Sequence, residues 1–411
     1  MSVSSLPPSG TTPLARREAR LAWWLLAPTI ISVALVVILP LLAIFWISVK
    51  PIGLADLRPT APIVRESLRG SGEDMRIEYR LRNSSQEQAI GNVVLEDDLP
   101  AQIELLGDLP EECAVQGSVL RCEFGTIEGG FRTRLKLPIA AQNKDEAEEL
   151  VEASAPRVSG DADNILTNLT FTAENFSRIF DGEEFWEVLG VTIFYTVFGT
   201  IGAIVVGLFA ALLLNKSFKG QGILRGLYLF PYVAPIIAVA FSWLILFDPF
   251  SGSANALLVQ MGVTDEAINF FGERPLALIM VTVFEIWRYF PLSFLFILAR
   301  MQSIDTDMYE AADMDGASPF QKFWYLSLPQ LLGILSVLFL LRFIWTFNKF
   351  DDIFLLTGGN AGTRTLTVNV YEQAFAISNI GAGAAVAVVI FCCLLGFSFF
   401  FFKFISQEEG L

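Results

Sequence analysis

Asp307-Met308-Tyr309-Glu310-Ala311-Ala312-Asp313-Met314-Asp315-Gly316-Ala317-Ser318-Pro319-Phe320-Gln321, followed shortly by Leu326-Ser327-Leu328-Pro329, carries the marks of two short helices hinged at a glycine. Gly316 has no Cβ and takes a positive φ readily, so it stops the first helix. Ser318 is placed as an N-cap, Pro319 suits the first helical position, and Gln321 completes a capping box. The small side chains of Ala311 and Ala312 let another surface come close, and Pro329 begins the apolar run that follows.

Apolar runs flank this polar loop on both sides, and the pattern recurs along the chain. Six runs have about the 20 residues that cross a bilayer core as a helix. They fall at roughly 22–48, 188–214, 225–247, 276–299, 328–348 and 382–405. Hydrophobic residues make up 53% of the 411, and the mean hydropathy is +0.53, as in an all-α polytopic membrane protein. There is no histidine. That removes the commonest general base, the usual catalytic triad and every His-containing metal site, so the chain reads as a non-enzyme without a metal. Of the four cysteines, Cys392 and Cys393 lie in an apolar run and only pack there. A formal charge of −15 argues against nucleic acid. No phosphate-binding loop of the Gly-x4-Gly-Lys-Ser/Thr kind occurs, so no nucleotide cofactor is expected on this chain.

The charge is unevenly spread. Residues 51–175 carry 23 acidic and 12 basic side chains, which separates an acidic insert from a near-neutral membrane part. Arg16, Arg17 and Arg20 precede the first run, opposed by Glu18. That run is too long and starts too late for a cleaved signal peptide, and no small-residue cleavage pattern follows it, so it reads as a retained span. Basic residues at its start favour a cytoplasmic N-terminus. Counting spans then puts Lys216, Lys219 and Arg225 inside, the loop 300–327 inside, the C-terminus inside, and the stretch 50–187 outside. The organisation expected is therefore 1–50 as N-terminus and first span, 51–175 as an extracytoplasmic insert with linker, and 176–411 as a five-helix core.

Within the insert, Ile77, Tyr79 and Leu81 alternate with Arg76, Glu78, Arg80 and Arg82. Phe131, Thr133, Leu135 and Leu137 alternate with Arg132, Arg134 and Lys136. Period-two alternation marks strands with one buried face. Turn residues at Asn83-Ser84-Ser85, Gly107-Asp108-Leu109-Pro110, Gly117 and Gly129-Gly130 punctuate them, which suggests a small β-rich sandwich. Cys113 and Cys122 lie in it with eight residues between them. On the outer side of a membrane they are expected to form a disulfide; two buried thiols are the alternative. Glu146 to Asp163 is acidic and small, and reads as a linker or a solvated helix.

The stretch from Asp307 to Pro329 also resembles the EAA loop of bacterial ABC import permeases. Glu310-Ala311-Ala312, Gly316, Leu326 and Leu328-Pro329 match its spacing, with Leu326 where isoleucine is usual and Asp305 where proline is usual. The variant Asp315-Gly316-Ala317 is similar to the carbohydrate-uptake branch. Phe347-Asn348-Lys349-Phe350-Asp351, Leu355-Leu356-Thr357-Gly358-Gly359, Gly381-Ala382-Gly383-Ala384-Ala385 and Thr172-Ala173-Glu174-Asn175-Phe176 resemble other parts of that family, so the likeness covers all six spans and stops at the insert. It is similar to the larger permease subunits of maltose, trehalose and glycoside importers, and that of the maltose importer also carries an outside insert. The resemblance implies a six-helix permease in a bacterial inner membrane. It implies a second permease, two ATP-binding subunits and an extracytoplasmic solute-binding protein as partners. It implies that Glu310, Ala311, Ala312, Asp315, Gly316, Leu328 and Pro329 couple the permease to the ATPase.

Charges inside spans are costly and mark candidate function. Glu285, Arg288, Tyr289 and Leu292 share one face of the fourth span; Arg342, Thr346 and Lys349 share one of the fifth. These positions resemble the sugar contacts of maltose importers, which implies a substrate path. An internal Glu285–Arg288 ion pair, with Arg342 facing a crevice between subunits, is the competing reading. The extra charge here, compared with maltose importers, also admits a polyol, a sugar phosphate, another polar or anionic solute, or a larger glycoside held by bidentate arginine bonds. Outside the class stand an ion-coupled secondary transporter using Glu285, which lacks the expected internal repeat, and a sensor with an outside domain.

Overall fold

The computed structural model describes residues 13–404 apart from residues 87, 101, 108, 142 and 182. Both chain termini, the side chain of Arg16 and the turn residue Asp108 lie outside the described residues. The chain divides into a helical unit, which includes residues up to Ser48 and most of the chain from Glu174, and a second unit, Val49–Ala173 with Ser378–Gly381.

Among the described residues of the helical unit, five helices are long and apolar enough to cross a membrane: α1 (Arg17–Ser48), α2 (Glu184–Leu214), α5 (Leu276–Gln302), α7 (Pro319–Phe347) and α9 (Ile380–Lys403). A further pair, α3 (Gln221–Val233) and α4 (Ile236–Leu246), passes the same test jointly but is bent by 91°. The bend has a local cause. Pro235 has no N–H to give the carbonyl of Pro231, and its ring disfavours helix in the residue before it. Two shorter helices complete the frame around the site, α6 (Thr306–Met314) and α8 (Asp351–Thr357).

Pro329 stands in the first turn of the regular α-helical stretch Leu328–Phe347, as expected, but the helix runs back without a break to Pro319, so the second of the two short helices is the start of a long one. A five-residue π turn, Phe323–Ser327, closes on the N–H of Leu328 just before Pro329. A second π turn, Ala34–Ile38, closes on Leu39 just before Pro40. In both places the widened turn lies directly before the proline, in the stretch whose carbonyls its ring would otherwise crowd, and the helix continues.

α2 and α5 form the tightest helix pair. Gly199, Gly202 and Gly207 on α2 leave no room for a Cβ: one at Gly207 would lie 2.7 Å from Ser293 Cβ and 2.8 Å from the Phe294 nitrogen. Small residues let helix backbones approach in an apolar solvent, where burial alone gives little drive.

The second unit holds eight strands among the described residues: β1 Pro62–Arg69, β2 Arg76–Asn83, β3 Ile90–Asp98, β4 Glu104–Leu105, β5 Cys113–Gln116, β6 Val119–Ile127, β7 Arg132–Ala140 and β8 Arg157–Asp161. They form two four-stranded sheets, in the orders β1-β2-β7-β4 and β5-β6-β3-β8, with every described pairing antiparallel. One core joins Ile77, Tyr79, Leu135 and Leu137 of the first sheet to Leu95, Leu120 and Cys122 of the second, the packing of a sandwich. Cys113 and Cys122 stand directly opposite each other on β5 and β6 and are joined as a disulfide.

The stretch from Glu146 to Asp163 is neither linker nor fully solvated helix. Lys144–Ser154 is a helix capped by Asn143, and it sends Ala147 and Val151, one turn apart, into the sandwich core. β8 follows and pairs with β3. Beside that helix the core contains a polar cluster. Ser154 donates to Glu66 Oε2 at 2.9 Å, and the hydroxyl of Tyr79, fully buried, donates to Asp97. The ends of this unit meet: the N–H of Thr172 bonds the carbonyl of Val49 at 2.8 Å. In the helical unit, Asn175 Nδ2 likewise bonds the carbonyl of Ser48 at 2.9 Å.

Candidate functional site

Two sites emerge in the helical unit, one between helices and one on a loop. The first is an open cavity of about 270 Å³ lined by Tyr232, Glu285, Tyr289, Leu292, Arg342, Trp345, Thr346 and Lys349. Six of the seven residues expected on the substrate path therefore share one cavity. Its floor is polar and buried. Glu285 is fully buried and accepts from Arg342 Nη2 at 2.6 Å, Thr346 Oγ1 at 2.9 Å and the Tyr195 hydroxyl at 3.1 Å. Lys349 Nζ donates to the Tyr289 hydroxyl and lies 3.6 Å from Asp351 and 3.7 Å from the fully buried Asp352. The Tyr289 ring has Lys349 at 4.1 Å and Arg342 at 4.8 Å from its centroid, within cation–π range. Each cation in the cavity thus faces a carboxylate. The walls are aromatic, and Trp345 and Tyr232 keep 51% and 39% of their surface exposed.

Arg288 is the one expected residue that does not line this cavity. The Glu285–Arg288 ion pair also fails to form, because Glu285 pairs across helices with Arg342 instead. Arg288 is buried and donates to the carbonyls of Pro231 at 3.0 Å and Ala234 at 3.1 Å. These carbonyls sit at the break between α3 and α4, where Pro235 withholds a donor. A buried carbonyl without a partner costs about 1–3 kcal/mol, so the break recruits the nearest guanidinium. Tyr195, Tyr232, Trp345 and Asp352 were not singled out in the sequence. A span holding both Pro231 and Pro235 was the readable signal that a donor such as Arg288 would be needed there.

The second site is the loop. Asp305 caps α6, its side chain accepting from the Asp307 N–H at 3.1 Å. At the far end Gly316 has φ +76°. The Ala317 N–H bonds the Ala312 carbonyl at 2.9 Å and the Gly316 N–H bonds that of Asp313 at 3.1 Å, the paired bonds of a Schellman stop. The capping box forms as expected: Ser318 N–H donates to Gln321 Oε1 at 2.8 Å and Gln321 N–H donates to Ser318 Oγ at 3.3 Å. Lys322 pairs with Asp313 at 2.6 Å, and the hydroxyls of Tyr309 and Ser327 bond at 2.9 Å, tying α6 to the start of α7. Glu310, Ala311, Asp315, Gly316 and Pro329 are exposed, while Ala312 and Leu328 are half-buried. Beside them Met314 is 89% exposed, Tyr325 77% and Phe320 72%. Such apolar exposure on a structured loop is characteristic of a surface that another protein covers.

Residues 203–407, which span both sites, match the family of binding-protein-dependent transport system inner membrane components. The "Inner membrane ABC transporter permease protein YcjO" of Escherichia coli K12 is 37% identical over 218 residues, covering 53% of this chain and 73% of that protein. The chain belongs to this permease family. It is a multi-pass inner-membrane permease of the ABC transport type. The permease is also 32% identical over 230 residues to the "Trehalose/maltose transport system permease protein MalF" of Thermococcus litoralis, covering 56% of this chain and 77% of that one. Its fold is similar to a chain of a crystallised bacterial alginate ABC transporter. The TM-score is 0.54 at 18% identity, over 58% of this permease and 83% of that chain.

Proposed function

We propose that this permease forms half of the translocation path for a neutral carbohydrate, an oligosaccharide or glycoside of the maltose or trehalose type, in an ATP-driven importer. The observation that carries the reading is the cavity. Its aromatic walls suit the apolar faces of sugar rings, and its polar edge offers the half-buried Tyr289 hydroxyl and Lys349 ammonium to sugar oxygens. The family relatives named for sugar transport support the same solute class. Arg342 and Lys349 are matched by Glu285 and Asp352, so an anionic solute would find little net positive charge, which weighs against a sugar phosphate. A polyol is the second reading that the same neutral cavity supports.

Six spans follow if the bent α3–α4 pair crosses once. With Arg17, Arg20, Lys216, Lys219 and Arg225 on the cytoplasmic side, the N-terminus, the C-terminus and the 300–329 loop lie inside and the sandwich outside. The disulfide Cys113–Cys122 accords with an oxidising outer compartment. On this arrangement Glu310, Ala311, Ala312, Asp315, Gly316, Leu328 and Pro329, with exposed Met314, Phe320 and Tyr325, dock one of two ATP-binding subunits. A second permease completes the cavity, and an external solute-binding protein delivers the solute. ATP is held by the partner subunits.

Uptake of labelled trehalose, maltose, glycerol and glucose phosphate by the reconstituted transporter is the test. Trp345→Ala should lower disaccharide uptake about tenfold, in line with removing one ring that stacks on the solute and its burial, while ATPase assembly is unchanged. Disaccharide uptake that persists when the partner ATPase cannot hydrolyse ATP would instead favour an ion-coupled carrier.

A further inference from the structure

The outer face of the sheet β1-β2-β7 departs from the acidic character of the unit that contains it. Register places Arg65, Arg80 and Arg134 side by side across three strands, and Ile63, Arg82 and Arg132 in the next row on the same face. Arg69 beside Arg76, and Lys136 beside Glu78, continue the pattern. Eight of the twelve basic residues in 51–175 thus share one face of one sheet, although that stretch holds 23 acidic residues. Glu78 is committed to Arg80 at 2.7 Å. Among the described residues no carboxylate lies within ion-pair distance of Arg65, Arg82, Arg132 or Arg134, and all four are exposed. Between them lies an open hollow of about 380 Å³.

Folding does not account for this arrangement. Like charges directly opposite on neighbouring strands are destabilising, and glutamates would serve solubility as well in a unit that is otherwise acidic. A guanidinium repeats about every 4.8 Å across the strands and about every 6.8 Å along them, giving a two-dimensional grid of bidentate donors. Arginine forks match carboxylate and phosphate oxygens two at a time.

We propose that this face binds an extended polyanionic glycan, a sugar polymer bearing carboxylate or phosphate groups, lying across β1, β2 and β7. The surface itself favours that partner over two others. Protein interfaces centre on aromatic or aliphatic anchors, whereas here the uncharged residues lining the hollow are Ile63, Leu81 and Thr133, of which Leu81 is buried in the core beneath it. A bilayer surface is held by apolar residues that enter it together with basic ones, and this face offers no aromatic side chain. A polyanion needs neither. The inference is independent of which solute the helical unit moves.

The full-length permease in nanodiscs of neutral lipid is titrated with a fluorescent oligogalacturonate, with a polyphosphate and with a neutral dextran. Both anionic polymers are expected to bind at low salt and to weaken in high salt, and dextran to stay unbound. The galacturonate and polyphosphate arms separate carboxylate from phosphate as the preferred group. Arg80→Ala with Arg134→Ala should weaken binding about a hundredfold, the effect of removing two charge-assisted hydrogen-bond donors. Arg121→Ala, on the other sheet and paired with Glu96 and Glu123, should leave it unchanged. Retention of the Cys113–Cys122 disulfide and of the protease resistance of the unit checks that each variant is folded. The proposal is overturned if the native permease binds neither polymer, or if the Arg80/Arg134 variant binds as well as native. It is equally overturned if the face captures anionic vesicles, an acidic protein or a second copy of the permease but no soluble polyanion.

Discussion

At Gly316 the backbone holds a positive φ, yet a Cβ built there would meet nothing within 4 Å. The demand on this residue is therefore conformational and not steric. A side chain at such a φ costs about 1–2 kcal/mol, least for asparagine. Gly316→Asn should keep most uptake, whereas Gly316→Val should open the Schellman stop and uncouple ATP hydrolysis from transport while membrane insertion stays normal. ATPase rate and solute uptake measured on the same vesicles separate the two outcomes, and full coupling in the valine variant would refute the loop's role. Arg288 supports a different expectation. Because it serves the carbonyls of Pro231 and Ala234 and not the cavity, Arg288→Ala should lower thermal stability by about 2–4 kcal/mol, two buried acceptors being orphaned. Transport by the protein that survives should keep its native preference among solutes. Arg342→Ala should instead alter that preference, which competition among unlabelled sugars would detect.

Among the elements, the contact of α2 with α5 is set by glycine. A methyl at Gly207 would press on the backbone nitrogen of Phe294 and, at 3.1 Å, on the carbonyl of Phe290, neither of which can step aside. Gly207→Ala is expected to cost about 1–3 kcal/mol, whereas Gly396→Ala on α9, where nothing lies within 4 Å, should be neutral. Melting of the two variants in the same detergent makes the comparison. In the sandwich, burial, reinforced by the nearby charge of Asp97, pushes the Glu66 carboxyl up to about 7 from an ordinary 4.5. The folded unit then binds a proton more tightly than the unfolded chain. Its stabilisation is fully present below about pH 4.5 and is lost as pH rises through about 7. Discounted for the group's partial exposure, the effect is about 1 kcal/mol, or about 5 °C in melting temperature. Proteolysis of this unit in the whole permease should be slower at pH 5 than at pH 8, and Glu66→Gln should remove the difference. These elements also mark what the sequence could convey. The strands around Ile77 and Leu135 were legible because period two survives in any register. The helix Lys144–Ser154 was masked by its acidic surface; only the four-residue step from Ala147 to Val151 announced a buried face. The Glu285–Arg342 pair depends on how far α5 slides along α7, which no single helix's pattern contains.

On the scale of the whole molecule, the chain's basic residues and its disulfide give one expectation about sidedness. In a background with Cys392→Ser and Cys393→Ser, a cysteine replacing Lys219 or Gln321 should react only with membrane-permeant maleimides in intact cells. One replacing Glu149, on the exposed side of the insert's helix, should react with impermeant ones. Labelling at positions 219 and 321 from outside, with position 149 protected, would reverse the arrangement given above. The loop and the cavity were legible at this scale because each gathers residues at fixed spacing on one or two helices. The bend between α3 and α4 was not, since hydropathy alone runs straight through it.

The bond between Thr172 and Val49 means that the sandwich begins and ends at the same point. For the helices, the chain that leaves at Ser48 returns at Asn175, and those two are themselves bonded, whatever length of polypeptide is spliced between. Such an appendage behaves as a cassette: a gene can gain, lose or exchange it in one step without re-registering a single span. Selection is then free to change the inserted module by itself while the helical unit is inherited unchanged.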